Sequence, residues 1–396
     1  MADPWLTIIG LGEDAPDGLP PASLAALQEA QIIMGAARHL ALLPPVTARL
    51  ITWPVPFADG LPLLEELRGA RVVVLASGDP FWFGAGSVIA RRLQRDEWTA
   101  LPAPSSFALV AARLGWPLEA TICLGLHAAP LQRLRPHLAS DQRAIVLLRD
   151  GDAVAQLARY LTDQGFGDSQ LHICEALGGP RARLRVALAR DYSFGDVQHP
   201  VAVGVEFAGD GQVLTLASGR ADALFAHDGQ ITKRPIRALA LSALAPRPAE
   251  MLWDIGGGSG SVAVEWCLSH PSLTACCIEP REDRAANIRA NAAHFGLDKL
   301  QVIAGSAPDR LAGLPRPDAI FIGGGLSQDL LEALAPLRGV RIVAHAVTLD
   351  SEALLTTAHA RFGGSLMRIE IAHAEPLGAK QAWASVRPIV QWQGIL

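Results

Sequence analysis

Short apolar runs recur along the chain, each breaking off into a loop rich in glycine or proline, and most lead into stretches whose apolar positions lie three or four apart. That alternation predicts strands feeding helices, the order of an α/β fold built on largely parallel sheets. In the amino-terminal half the predicted strands are Leu6–Ile9, Arg71–Ala76, Thr121–Leu124, Ala144–Leu148, Leu171–Cys174 and Pro200–Val205. Further on, a strand ends at Ile255, and Leu273–Ile278, Leu300–Ala304 and Ala319–Ile322 follow it. Thr232–Leu244 reads as a helix, with Ile236, Leu239, Ala240 and Ala243 on one face. Periodicity weakens over Leu214–Gly229, which places a domain junction near residue 212 and predicts domains of 1–212 and 213–396. Trp116-Pro117 marks a division of the first domain into lobes of about 1–114 and 118–212. No internal repeat is visible, so the halves are expected to be built differently.

The strongest chemical signal is W-D-I-G-G-G-S-G at Trp253–Gly260, with Glu279 closing the next predicted strand. A glycine turn there brings bare amides close to a ligand, and the helix beginning near Ser261 adds its positive end. A carboxylate at the tip of the second strand sits where a ribose presents its hydroxyls. Gly256, Gly258 and Gly260 give G-x-G-x-G, whereas the dinucleotide fingerprint is G-x-G-x-x-G with its last glycine seating a pyrophosphate. A cofactor without phosphate, S-adenosylmethionine, fits this spacing. A nicotinamide-dependent dehydrogenase stays open as the alternative, and so does a single-site enzyme with one half acting only as a binding module.

Beyond Glu279 the chain offers a polar helix (R-A-A-N-I-R-A-N, Arg284–Asn291), a third strand, Gly305-Ser306-Ala307-Pro308, and a fourth strand ending in Gly323-Gly324-Gly325. This order resembles a class I (Rossmann-like) methyltransferase. Three glycines in place of a polar clamp after the fourth strand predict room for a bulky flat substrate. In the first half Gly10-Leu11-Gly12, S-G-D-P-F-W-F-G (Ser77–Gly84) and P-A-P-S-S-F (Pro102–Phe107) each follow a strand or open a helix. Together these blocks resemble the tetrapyrrole methylase family, a two-lobed α/β methyltransferase fold. I-T-K-R-P-I-R (Ile231–Arg237), the glycine turn and F-I-G-G-G resemble the decarboxylating class I methyltransferases of cobalamin biosynthesis.

The joint resemblance covers nearly the whole chain and implies a bifunctional S-adenosylmethionine-dependent enzyme. It implies methylation of carbons 5 and 15 of a reduced precorrin, with loss of the ring C acetate carboxyl to give precorrin-8, and two cofactor sites. For the second domain it implies cofactor contacts at Thr232, Gly256, Gly257, Gly258, Ser259, Gly260, Glu279 and Ala307. For the first it implies Gly10, Gly12, Ser77, Gly78, Asp79, Ser105 and Ser106. Many members of the wider family carry G-x-G-P-G, whereas Glu13-Asp14 follow Gly12 here. No catalytic acid or base is assigned, because methyl transfer from a sulfonium requires alignment more than a dedicated nucleophile. His127, His345 and His373 are possible proton donors for the decarboxylation, and Lys233, Arg234 and Arg237 possible grips on substrate carboxylates.

Composition changes this picture little. Charged residues make up 18% of the 396 and the net charge is −5, without a basic stripe, so nucleic acid is not expected as a substrate. Of 34 basic residues only Lys233, Lys299 and Lys380 are lysine, and arginine forks suit a polycarboxylate ligand. The five cysteines form no C-x-x-C; Cys276 and Cys277, adjacent in a strand, point to opposite faces and read as core thiols, with no metal site. No apolar run is long enough to span a bilayer and no leader opens the chain, so a cytoplasmic protein is expected. Exposed sheet edges predict a homo-oligomer.

Overall fold

The computed structural model describes residues 4–396. The chain divides into two compact units, one made of the residues up to Leu131 with His137–Gln212, the other of Gln132–Pro136 with Val213–Leu396.

In the first unit β1 (Leu6–Leu11), β2 (Ile32–Gly35), β3 (Arg49–Thr52), β4 (Val72–Ser77) and β5 (Trp98–Leu101) form a parallel sheet in the order β3-β2-β4-β1-β5. Helices α1 (Pro21–Glu29), α2 (Ala37–Leu40), α3 (Gly60–Glu65) and α4 (Ala85–Ala90) are interleaved with them. Alternation places Ile8, Val72, Val74 and Met34 in one apolar cluster and Ile9, Ile33, Val73 and Leu75 in another, one on each face. Helix α5 (Ser106–Leu114) starts where the Ser105 hydroxyl accepts from Ala108 N and stops at left-handed Gly115. Its buried Phe107, Val110 and Ala111 pack on Ile145, Cys174 and Ala202 of a second, mixed sheet. That sheet comprises β6 (Ile122–Gly125), β7 (Arg143–Leu148), β8 (Gln170–Glu175), β9 (Arg183–Leu188) and β10 (Val201–Glu206), ordered β6-β7-β10-β8-β9. Helix α6 (Gly151–Asp163), capped by Asp150, follows β7.

The second unit opens with α7 (Arg234–Leu244). Parallel strands β11 (Met251–Ile255), β12 (Thr274–Glu279), β13 (Leu300–Ala304), β14 (Ala319–Ile322) and β15 (Arg341–Ala346) alternate with α8 (Ser261–Ser269), α9 (Glu282–His294) and α10 (Gln328–Leu334). After α11 (Leu349–Phe362) come β16 (Ser365–Ile369), the hairpin β17 (Ala372–Leu377) and β18 (Lys380–Ser385), and β19 (Ile389–Ile395). The main sheet runs β13-β12-β11-β14-β15-β19-β16, with β19 antiparallel to both neighbours. One face packs against α7, α8 and α9, the other against α10 and α11. Cys277 lies in the first of these cores and Cys276 in the second, as the pleat requires for adjacent residues.

Among the described residues no helix is long and apolar enough to cross a membrane.

A buried charge cluster ties the segment before α7 to α8. Glu265, fully buried, accepts from Gly219 N (2.7 Å), Arg220 N (2.8 Å) and Arg237 Nε (2.7 Å). Arg237 also donates to Asp222 (3.0 Å), to Arg220 O (2.5 Å) and to Thr232 O. The expectation that Arg237 could grip a substrate is therefore corrected: its guanidinium has no exposed surface and is used internally. Breaking such a pair from one side leaves a buried charge without its partner and costs about 3–5 kcal/mol. Glu265→Ala is expected to lower the urea midpoint of the second unit by a corresponding amount; an unchanged midpoint would show that the cluster does not hold that segment.

Candidate active sites

In the second unit the carboxyl ends of β11, β12 and β14 meet. Gly256, Gly258 and Gly260 all have φ between 59° and 69°, the left-handed region that glycine enters without strain. A Cβ on Gly256 would lie 2.5 Å from Gly324 O and 2.8 Å from its Cα, so this glycine lets the loop after β14 rest on the loop after β11. A Cβ on Gly257 would strike the Cys277 sulfur, and one on Gly260 would come within 2.7 Å of Ile288. Glu279, almost fully buried, accepts from Gly258 N (2.8 Å) and Arg281 N (3.0 Å). The carboxylate and the glycine turn therefore form one structure.

Asn291 on α9 holds this turn from behind, donating to Ser259 O (2.8 Å) and Ala226 O (3.0 Å) and accepting from Ala226 N (2.7 Å). Ser259 is buried and its hydroxyl meets no partner. Thr232, half-buried, is held through its carbonyl by Arg237, and the neighbouring Gln230 carbonyl lies 3.4 Å from where a Cβ of Gly258 would be. Ala307 packs against the core on the α10 side of the sheet. Asn291 was not singled out from the sequence; its place in a polar helical stretch gave no hint that it would reach two loops.

The glycine run after β14 qualifies an expectation. Gly323 donates to Ile255 O (2.9 Å) and Gly324 lies on Gly256, so these two serve loop packing, whereas Gly325 faces open space. The three histidines separate. His127 lines the cavity of the first unit, and His373 is exposed on β17. His345 follows the residue paired with Ile322, at the end of β14. It bonds Gln391 (3.0 Å) and stands edge-on to Phe321 at 5.0 Å. Burial lowers its pKa, so it is neutral at neutral pH. Lys233 and Arg234 are exposed.

In the first unit three loops converge by the same device. A Cβ on Gly10 would run into the Gly78 carbonyl, and one on Gly78, at φ 53°, would lie 2.9 Å from Pro104 O. Beside them is a cavity of about 550 Å³ whose walls include Gly12, Ser77, Gly78, Asp79, Ser105 and Ser106. Gly10 is not among the lining residues; it seats the Gly78 loop. Asp79 accepts from Phe81 N (2.8 Å), a local turn bond. Glu13 accepts from Arg38 (2.8 Å) and Arg181 (3.0 Å) and so ties down the first loop. Arg38 and His39 both reach the Ser77 hydroxyl, His39 at 3.1 Å. Burial, with the Arg38 and His199 charges adding, pushes the His39 imidazole down to about 3.

Residues 5–192 match the family described as tetrapyrrole (corrin/porphyrin) methylases, and residues 223–395 the precorrin methyltransferase domain. A Sinorhizobium protein named precorrin-6Y C(5,15)-methyltransferase [decarboxylating] is 48% identical, with 99% of this chain and 96% of that one aligned. The chain belongs to the precorrin-6Y C(5,15)-methyltransferase family. A Mycobacterium tuberculosis member of the same name is 42% identical over 98% of both chains. The solved carboxyl-terminal domain of precorrin-6Y C5,15-methyltransferase from Rhodobacter capsulatus is 55% identical, covering 46% of this chain and all of that one, with a TM-score of 0.45.

Asp254 supplies a test of the local electrostatics. It points to the α8 face of the sheet beside Cys277, its register partner, and its Oδ2 accepts from Ala263 N (3.1 Å). Burial raises its pKa to about 7 against the pull of that amide, and the Glu279 charge adds to the rise. A carboxyl sits near 3.9 in an unfolded chain, so the folded state binds the extra proton between about pH 4 and 7. Its contribution to stability is complete below about pH 4 and is lost as pH rises through 7. Asp254→Asn is expected to flatten the fall in stability across that window, stabilising the protein at pH 8 relative to pH 5. Equal pH profiles for the two proteins, measured by urea unfolding, would contradict this assignment.

Proposed function

We propose that the chain methylates carbons 5 and 15 of a reduced precorrin and removes the carboxyl of the ring C acetate, giving precorrin-8 on the route to cobalamin. The observation that carries this reading is that family members of that activity align with both units, not with one alone. A methyltransferase family also leaves no place for the nicotinamide alternative. In this reading S-adenosylmethionine binds once in each unit, and a cytoplasmic homo-oligomer is the working form; exposed Leu377 and Trp383 on the β17–β18 hairpin favour association.

The bare glycine turn, the closing carboxylate and the adjoining helix fit an adenosyl cofactor, which supplies an electrophilic methyl when bound. In the second unit Glu279 would accept from ribose hydroxyls, Gly256, Gly257, Gly258, Ser259 and Gly260 would face the methionine carboxylate, and Thr232 and Ala307 would border the adenosyl group. In the first, Gly12, Ser77, Gly78, Asp79, Ser105 and Ser106 would hold the cofactor, with Gly10 as the seat beneath them. The protein's part is alignment: positioning a carbon nucleophile can supply on the order of 7–11 kcal/mol. Bridging carbons of a reduced tetrapyrrole are enamine-like and attack without a protein nucleophile. The electron pair released with carbon dioxide passes into the conjugated ring.

The unit-by-unit assignment, carbon 5 to the first and carbon 15 with decarboxylation to the second, is tested in the full chain. Gly78→Val is expected to abolish methylation at carbon 5 alone. Glu279→Ala, which removes a charged acceptor, is expected to weaken S-adenosylhomocysteine binding in the second unit by roughly 10- to 100-fold and to suppress carbon 15 methylation with decarboxylation. Mass spectrometry of the products reads both outcomes, and calorimetry should find two binding equivalents in the unaltered chain. Loss of both methylations from either substitution, in a folded protein, would refute the division.

A further inference from the structure

We infer that Trp82 and Phe83, in the loop after β4, form a stacking shelf for the conjugated face of the tetrapyrrole substrate. This rests on the reading that the first unit methylates that substrate.

Large aromatics left in water forgo the gain of burial, and a cluster of them marks a surface that something else covers. Trp82 is 37% exposed and Phe83 46%, and both line the cavity of about 550 Å³. Both are supported from beneath by buried Phe107, with ring centroids 4.9 Å and 5.8 Å away. Phe83 holds φ at 56°, a conformation that a bulky residue rarely adopts. Its ring also occupies the space where a side chain at position 125 would stand, since a Cβ on Gly125 would come within 2.7 Å of it. Backbone and neighbour are thus both adapted to keep this ring in the cavity. A second aromatic pair, Trp53 and Phe57, stacked at 4.7 Å and 13°, lines the same space.

Two conjugated ligands could meet such a shelf, the adenine of the cofactor and the macrocycle. The macrocycle is favoured because the aromatic area is spread over two separate loops, more than one adenine face covers. Arg38 and Arg149 also line the cavity, and cations beside a broad apolar floor suit a flat ring edged with carboxylates. Phe81, by contrast, turns away to pack on Trp98 at 5.3 Å and does not line the cavity, which makes it a control.

The experiment uses the full chain with reduced precorrin and S-adenosylmethionine. Trp82→Leu and Phe83→Leu are each expected to raise KM for the precorrin in carbon 5 methylation about tenfold. Binding of S-adenosylhomocysteine should stay unchanged, as should the activity of the second unit. Trp82→Phe should restore most of the loss, and Phe81→Leu should behave as the unaltered chain. A weaker hold on S-adenosylhomocysteine with an unchanged precorrin KM would assign the shelf to the cofactor instead, and no change in either would remove the shelf altogether. If Gly78→Val leaves carbon 5 methylation intact, the reading of the first unit fails, which is a different outcome from a failed shelf.

Discussion

Main chain resting directly on main chain, at the carboxyl edge of each parallel sheet, is the constraint on which both sites depend. Gly256 lies against Gly324, Gly10 against Gly78, and Gly78 against Pro104. A methyl group at any of these positions would stand within 2.9 Å of a facing backbone oxygen, so the two loops would have to move apart, and the packed core beneath offers little slack to absorb it. The same lack of side chains that lets loops touch keeps the Gly256–Gly260 turn slim, while its glycine amides are held in place by the Ile278 and Gly257 carbonyls and by Glu279. Close loop packing and ligand access are therefore one property of the backbone.

That property was legible in the sequence because glycine leaves a local signature. An apolar run ending in W-D-I-G-G-G-S-G, or in S-G-D-P, announces strand, tight turn and helix within a dozen residues. The structure adds devices just as local that the sequence reading did not single out, Ser105 and Asp150 as caps and Gly115 as a stop. What the sequence did not disclose depends on partners far along the chain. Arg237 reads as one more cation on a first helical turn until Glu265, 28 residues on, arrives beside it. Asn291 gives no sign that it bonds a residue 65 positions away. The late strands β16, β17 and β18 were missed for another reason: their side chains are mostly exposed, so no alternation of apolar positions marks them.

Arginine shows how burial decides what a charge is for. In the second unit Arg237 is out of water altogether, and desolvation on that scale is tolerated only because Glu265, Asp222 and two carbonyls collect its donors. Arg38 of the first unit is partly exposed and has Glu13 on one side and the Ser77 hydroxyl on the other. One arginine orders a segment beside the glycine turn; the other keeps charge at the cavity wall. An arginine-rich composition alone could not have told these apart.

Three titratable groups beside the two sites share a further trait: burial favours their uncharged forms. His39 is neutral at any physiological pH, His345 is displaced the same way, and Asp254 is held up near neutrality. Asp254 alone titrates near neutrality, but it is enclosed in the core behind the glycine turn, and neither histidine is a charge reservoir, so general acid–base chemistry finds among these three no poised group open to a substrate. Methyl transfer from a sulfonium to an electron-rich carbon makes no such demand. What it does demand is that two bulky reactants be held in line, which bare backbone on one wall and aromatic rings on another can do without any group changing its charge.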